Sequence, residues 1–248
     1  MNLGEELMKS LEIETVFTIT AAGYKIPVTE TVIVSWVSMA LLICGALLVT
    51  RNLQQVPHGF QCLLEGGIDF LNGFSKRQFG KRANIFGPYI GTLFLFLLVV
   101  NLIPAITPVF AFGKAPLFEI KPPARDINLC AALALISVLL MFFSGLIVRG
   151  PAGWFKNLFH PVPMMLPFNL LEYVIRPLSL CLRLFGNILG GFIIMTLISI
   201  ALAGAIKFSV IIPIPLSLYF DFFDGFIQAL VFTFLTTLYV SEAVATEH

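Results

Sequence analysis

Residues 176–187 read RPLSLCLRLFGN and place two arginines, Arg176 and Arg183, seven residues apart among leucine, phenylalanine, cysteine and glycine. How unusual that is depends on the rest of the chain. The 248 residues are 58% hydrophobic and 12% charged, with a mean hydropathy of +0.95, against a charged share of roughly a quarter in soluble domains. Such a chain belongs in a bilayer, where an ionisable side chain at mid-depth costs about 2.5–3.5 kcal/mol and marks an ion path by default. A net charge of +1 leaves no basic surface for nucleic acid and no acidic tail. No polar block is long enough to fold separately, so residues 1–248 read as a single integral membrane domain.

A span needs about 20 apolar residues at 1.5 Å each. Residues 32–50 qualify, as do 85–106, closed by Pro104 and Pro108, and 127–148, opened by PPARD and closed by Arg149-Gly150-Pro151. Between the last two, 107–126 is proline-rich and reads as an exposed loop. The stretch 164–240 divides around 207–215 into two more helices, forming a long hairpin. Residues 56–79 differ: Phe60, Leu63, Leu64, Ile68, Leu71 and Phe74 recur at helical spacing against Glu65, Asp69 and Asn72, interrupted at Gly66-Gly67. That amphipathic pattern predicts a helix lying along the membrane interface. The expected fold is all-α and polytopic, with five transmembrane helices plus this interfacial helix.

The last two helices are too long to stand upright. Residues 164–206 would run roughly 60 Å as a helix against a hydrocarbon core of about 30 Å. Either the helix breaks at Pro177 or it is strongly tilted. Arg51, Lys76, Arg77, Lys81, Arg82, Arg149 and Lys156 fall on one side of these spans, and Lys9, Lys25, Lys114, Lys121, Arg125 and Lys207 on the other. The denser first set reads as cytoplasmic, with residues 1–31 outside and the C-terminus inside. The N-terminal region carries Glu5, Glu6, Glu12 and Glu14 and lacks a basic, then apolar, signal pattern.

Cys44, Cys62, Cys130 and Cys181 sit singly in apolar surroundings and read as small buried hydrophobes. His58 and His160 lie beside prolines in cytoplasmic connections and read as structural, and neither a metal nor another cofactor is expected. Trp36 and Trp154, near span ends, suit interfacial anchoring. Asp126, two residues before Asn128, suits a helix cap.

Within the fourth span the polar residues form a row. Glu172, Arg176, Ser179, Arg183 and Asn187 follow steps of four, three, four and four, so they share one helix face. On the last helix Asp221, Asp224, Gly225, Gln228, Thr236 and Tyr239 form a second stripe. Arg176 has Glu172 one turn away and is explained by a local ion pair. Arg183 has no carboxylate among its own helical neighbours, so its partner is Asp221 or Asp224 on the last helix, or another subunit.

The stretch LSLCLRLFGNILGG, residues 178–191, resembles the signature of subunit a of F-type ATP synthases, the membrane stator beside a rotating c-ring. FIQALVFTFLTTLYVSEA (226–243) is similar to that family's C-terminal helix, VVNLIPAITP (99–108) to its loop after the second span, and PPARDINLCAALAL (122–135) to the start of the third. The resemblance runs from about residue 29 to the end. It implies translocation of protons or sodium ions through two offset half-channels, coupled to ATP synthesis or hydrolysis in a soluble partner assembly. Arg183 then matches the essential arginine facing the ring's ion-carrying carboxylate. Arginine suits that place because it keeps its charge when desolvated.

By the same resemblance Asn187 and Gln228 orient that arginine and line a water path, and Asp221 borders the outer half-channel. Two positions depart from the family pattern. Phe192 stands nine residues after Arg183, where other members carry Glu or His, which shifts the polar function to Asp224; Asn169 replaces a carboxylate fourteen residues before Arg183, which shifts it to Glu172. Arg176 and Ser179 complete the expected ion-path residues. The implied partners are the c-ring, the peripheral stalk subunit b, the soluble catalytic ATPase assembly and membrane lipid, in a bacterial inner membrane or an organellar energy-transducing one. No GxxxxGK[ST] phosphate loop occurs, so this chain is expected to hold no catalytic site. The competing class is a self-contained secondary transporter or channel, against which the absence of an internal repeat counts. A membrane-embedded enzyme would need clustered donors, and the three histidines are scattered.

Overall fold

The structure, a computed structural model, describes residues 15–21, 24–51, 53–54, 59–110, 122–159, 164, 166–202, 215–216 and 218–245. Eight longer elements follow in order: strands β1 (Thr15–Ala21) and β2 (Tyr24–Thr29), then helices α1 (Glu30–Thr50), α2 (Phe60–Phe79), α3 (Ala83–Phe110), α4 (Ile127–Leu158), α5 (Leu166–Leu202) and α6 (Gly225–Val244). Five helical segments are long and apolar enough to cross a membrane. The fold is therefore all-α and polytopic, as the composition predicts. Residues 111–121 of the expected exposed loop 107–126, the 203–214 connection, and His58, His160 and Lys207 lie outside the described residues.

Local sequence accounts for most elements. TVFTITA and YKIPVT are rich in β-branched residues and pair as an antiparallel hairpin, with Phe17 opposite Val28 and Ile19 opposite Ile26. Reading residues 1–31 only as an outside segment misses this hairpin. Helix α1 starts on Glu30, whose negative charge suits the positive end of the helix dipole. Within the apolar helices, hydroxyls turn back onto their own backbone: Ser35 donates to the Thr31 carbonyl at 2.8 Å, Ser38 to Val34 at 2.7 Å, and Thr237 to Thr233 at 2.7 Å. Each hydroxyl is thereby satisfied without a cross-chain partner.

Several expected boundaries move. Pro104 and Pro108 do not close the second span, because α3 continues through both to Phe110. Pro177 does not break the fourth, since α5 runs 37 residues, about 55 Å, as one helix. Proline removes one backbone hydrogen bond, whereas leaving the helix would strand several polar groups in an apolar setting. Gly66-Gly67 does not interrupt α2 either. Arg149-Gly150-Pro151 does break direction: Gly150 takes φ 71°, and a further short helix reaches Leu158. Pro151 is the first residue of that continuation, where its missing N–H costs nothing. The last helix is entered through a π-helical turn, Leu218–Asp224, rather than as one regular helix.

The chain divides into two compact units, one comprising Met1–Ala46, Leu95–Leu129 and Leu184–Ala229, the other Leu47–Phe94, Cys130–Arg183 and Leu230–His248. The second has a core of Phe79, Ala83, Phe86, Ile90, Met141, Val240 and Val244, flanked by Tyr89, Tyr173 and Tyr239. In the same unit Arg82 donates to the Val244 carbonyl, and Arg149 donates to the Glu242 carbonyl at 3.1 Å and also to that of Ala245. These two guanidinium groups satisfy carbonyls at the C-terminal end of α6 that the helix itself leaves open. In the first unit the buried set includes Val28, Leu97, Val100, Ala124, Leu184 and Ala229. There the Asn101 amide donates to the Gly225 carbonyl at 3.4 Å, and a methyl group added at Gly225 would lie 3.0 Å from the Asn101 Cβ. Glycine is required where α6 begins because α3 passes that close.

Candidate functional site

Because α5 is unbroken, the row Glu172, Arg176, Ser179, Arg183 and Asn187 keeps the helical phase that places it on one face. Leu180, Cys181, Leu184 and Ile188 on the adjoining face are buried, whereas Leu182, Arg183, Gly186 and Asn187 are exposed. The helix thus packs on one side and presents Arg183 and Asn187 on the other.

The two arginines have opposite surroundings. Arg176, whose side chain is only 12% exposed, is tied at 2.8 Å by Nη2 to Glu172 Oε1 and at 2.8 Å to Glu242 Oε2. Its guanidinium also lies 4.8 Å from the Tyr239 ring centre, and Nη1 points at the Met141 sulfur at 3.6 Å. Two carboxylates and an aromatic face neutralise it locally. Arg183 forms no ion pair with the described residues of its own unit. One charge is consumed by the fold and the other is left on an open face.

On the last helix, Gln228 is 4% exposed and donates through Nε2 to Asp224 Oδ1 at 3.5 Å, a long contact. Asp224 itself is partly exposed. Asp221 lies in the π-helical turn, and its side chain is outside the described residues. A π turn bonds i to i+5, so it shifts Asp221 and Asp224 out of the regular phase that the sequence stripe assumes. From Gly225 onward the stripe turns inward: Gly225, Gln228 and Thr236 are buried, and Thr236 reaches Ser137 at 3.4 Å.

Of the four cysteines, Cys130 and Cys181 are buried, but Cys44 and Cys62 are exposed, correcting the expectation of four buried thiols. An apolar helix face in a membrane protein looks the same in sequence whether protein or lipid covers it. Among the described residues no three histidine, cysteine or acidic side chains gather to hold a metal ion. Asp126 Oδ1 accepts from the Asn128 backbone N–H at 2.9 Å and so caps α4. Trp154 donates to the Tyr173 hydroxyl at 3.1 Å, so its indole N–H is engaged within the protein.

Sequence reasoning misses four polar residues. Glu242 escapes it because it lies 66 positions from Arg176, a distance over which helical spacing says nothing. Asn101, 4% exposed, carries an amide oxygen with no hydrogen-bond partner among the described residues. Arg125 and Glu30 form an ion pair at 3.9 Å, with the Arg125 guanidinium 5.1 Å from the Phe192 ring centre. The proline before Arg125 is the available signal, since it marks the turn Pro123–Arg125 that carries the arginine inward.

Compared with models of known protein families, the chain matches the ATP synthase A chain over residues 32–241.

Proposed function

The chain belongs to the ATP synthase A chain family, a multi-pass subunit of energy-transducing membranes that takes part in proton translocation, associates with the c-ring and is not itself catalytic, and on that premise we propose how its residues carry the ion. Arg183 faces the ring and meets each ionised carboxylate as it passes. The observation that carries this reading is the contrast within α5: Arg176 is neutralised by Glu172 and Glu242, while Arg183 stands on an exposed face with no ion pair in its unit. A permanent cation left uncompensated at membrane depth is costly, and a passing carboxylate offsets that cost.

Two offset half-channels meet at this arginine. The outer one is lined by Asp221, Asp224 and Gln228, and the inner one by Ser179, Arg176 and Glu172, with Asn187 orienting the Arg183 guanidinium. Because the fixed positive charge bars a direct leak between them, ions must travel around on the ring, and that travel turns the rotor against the soluble ATPase assembly. The helical hairpin of residues 164–240 forms the stationary wall of the path. Subunit b and lipid cover other apolar faces, α2 lies along the interface, and the chain sits in a bacterial inner membrane with its N-terminus outside.

The test is ATP-driven acidification of inverted vesicles holding the whole complex, read with a quenched fluorescent amine, for the native chain and Arg183→Ala at matched assembly. Pumping is expected to vanish in the variant. Native-rate pumping by the variant would mean that Arg183 is structural and that the reading is wrong.

A further inference from the structure

The outer half of the path lacks ionisable groups on α5. Beyond Asn187 the helix reads ILGGFIIMTLISIAL, and the one hydroxyl there whose position is described, Thr196, is engaged with the Phe192 carbonyl at 2.8 Å. An ion moving through that half must be received by side chains from other elements.

The unit that holds this half of α5 contains a buried arginine not used above. Arg125 is 4% exposed and rises from the turn preceding α4. Its guanidinium lies over Phe192, nine residues and about 14 Å along α5 from Arg183. Phe192 cannot carry a proton, but its ring face can anchor a cation. The carboxylate opposite Arg125 is Glu30, on the first turn of α1 and 28% exposed. Their separation of 3.9 Å exceeds a direct hydrogen bond, unlike the 2.8 Å contacts of Arg176. Glu30 is therefore held near a fixed charge while its oxygens keep lone pairs free of that guanidinium. The neighbouring Asp126 is buried and committed to capping α4, so it does not compete for this part.

We infer that Glu30 and Arg125 form the mouth of the outer half-channel. Glu30 receives the ion from the outside, and Arg125, anchored on Phe192, is a positioning residue that holds this carboxylate beside the outer half of α5. For a proton, a hydronium ion outside gives it to one Glu30 oxygen and leaves as water, and the Glu30 carboxyl then passes it to the next acceptor inward, which regenerates the carboxylate with no net change in its charge. The inference rests on the reading of Arg183 given above.

The experiment uses the whole complex, with Cys44, Cys62, Cys130 and Cys181 replaced by serine and with Glu30→Cys introduced. After assembly and purification the thiol is treated with a carboxyethyl (anionic, protonatable) or a trimethylammonioethyl (cationic) methanethiosulfonate, the complex is reconstituted, and ATP-driven pumping is read. Glu30→Cys is expected to lower pumping several-fold, the anionic reagent to restore it in part, and the cationic reagent to lower it further. Because the charge is changed after assembly, a folding defect cannot imitate that result. Glu30→Asp and Arg125→Lys should keep most pumping, and Arg125→Gln should lose it. Native-rate pumping by Glu30→Gln, or equal effects of the two reagents, overturns the inference. Arg183→Ala in the same assay separates the two readings: if it pumps, the proposed function fails, and if it is silent while Glu30→Gln pumps normally, only the mouth fails.

Discussion

Arg176 on α5 holds Glu242 near the end of α6 at 2.8 Å while holding Glu172, one turn away on its own helix, at the same distance. Both carboxylates are more than half exposed, whereas the guanidinium is mostly buried. Either acid alone can still compensate the arginine. We expect Glu172→Ala and Glu242→Ala each to cost under about 1 kcal/mol, as exposed pairs do. Removing both should cost more than the sum, about 3 kcal/mol, because a buried charge is left uncompensated. Thermal unfolding of the detergent-purified chain measures the coupling, and additive losses would contradict it.

Gly225 at the start of α6 packs directly against Asn101 of α3. A Cβ at 225 would meet the Asn101 Cβ at 3.0 Å and its carbonyl oxygen at 3.4 Å, and backbone atoms of a helix cannot yield cheaply. Gly225→Ala should destabilise by about 1–3 kcal/mol, the usual cost of overpacking. Asn101→Gly, which removes the opposing Cβ, should partly suppress the loss. Gly191→Ala, whose nearest neighbour is a Phe220 ring atom at 3.9 Å, should be tolerated.

Two other glycines separate backbone strain from helix propensity. Gly150 holds φ 71° and ψ 162° at the break in α4, a region closed to residues with a side chain. Gly150→Ala should cost about 1–3 kcal/mol by thermal unfolding. Gly66 lies inside α2, and a Cβ added there would meet nothing within 4 Å, so Gly66→Ala should stabilise by about 0.5–1 kcal/mol.

Trp154, Tyr173 and Phe142 form an edge-to-face cluster in which Trp154 donates to the Tyr173 hydroxyl at 3.1 Å. Tyr173→Phe keeps the rings but removes that acceptor. The expected loss is about 0.5–1.5 kcal/mol, with a change in the Trp154 emission spectrum. The emission is read in a Trp36→Phe background, which leaves Trp154 as the sole tryptophan. An unchanged spectrum would show that the indole N–H has no such partner.

How far the sequence reached can be judged residue by residue. It placed the arginine row on one face of α5, because helical phase depends only on spacing within an unbroken helix. It did not find Glu242 beside Arg176 or Phe192 beneath Arg125, since each contact joins segments far apart in the chain. It also ended α3 too early and left Pro177 as an open choice. Proline's local cost was visible, but the greater cost of exposing backbone groups in lipid decides the outcome.

By itself, then, the amino-acid order determined the membrane class, the apolar spans and the shared face of Glu172, Arg176, Ser179, Arg183 and Asn187, all of which follow from hydropathy and helical period over one or a few turns. The tertiary structure alone decided that Glu242 joins Glu172 on Arg176, where the π turn shifts the last helix, and that Glu30 meets Arg125 over Phe192. Those outcomes depend on which helices approach one another, and side-chain chemistry acts across such contacts only once packing has brought distant segments within a few ångströms.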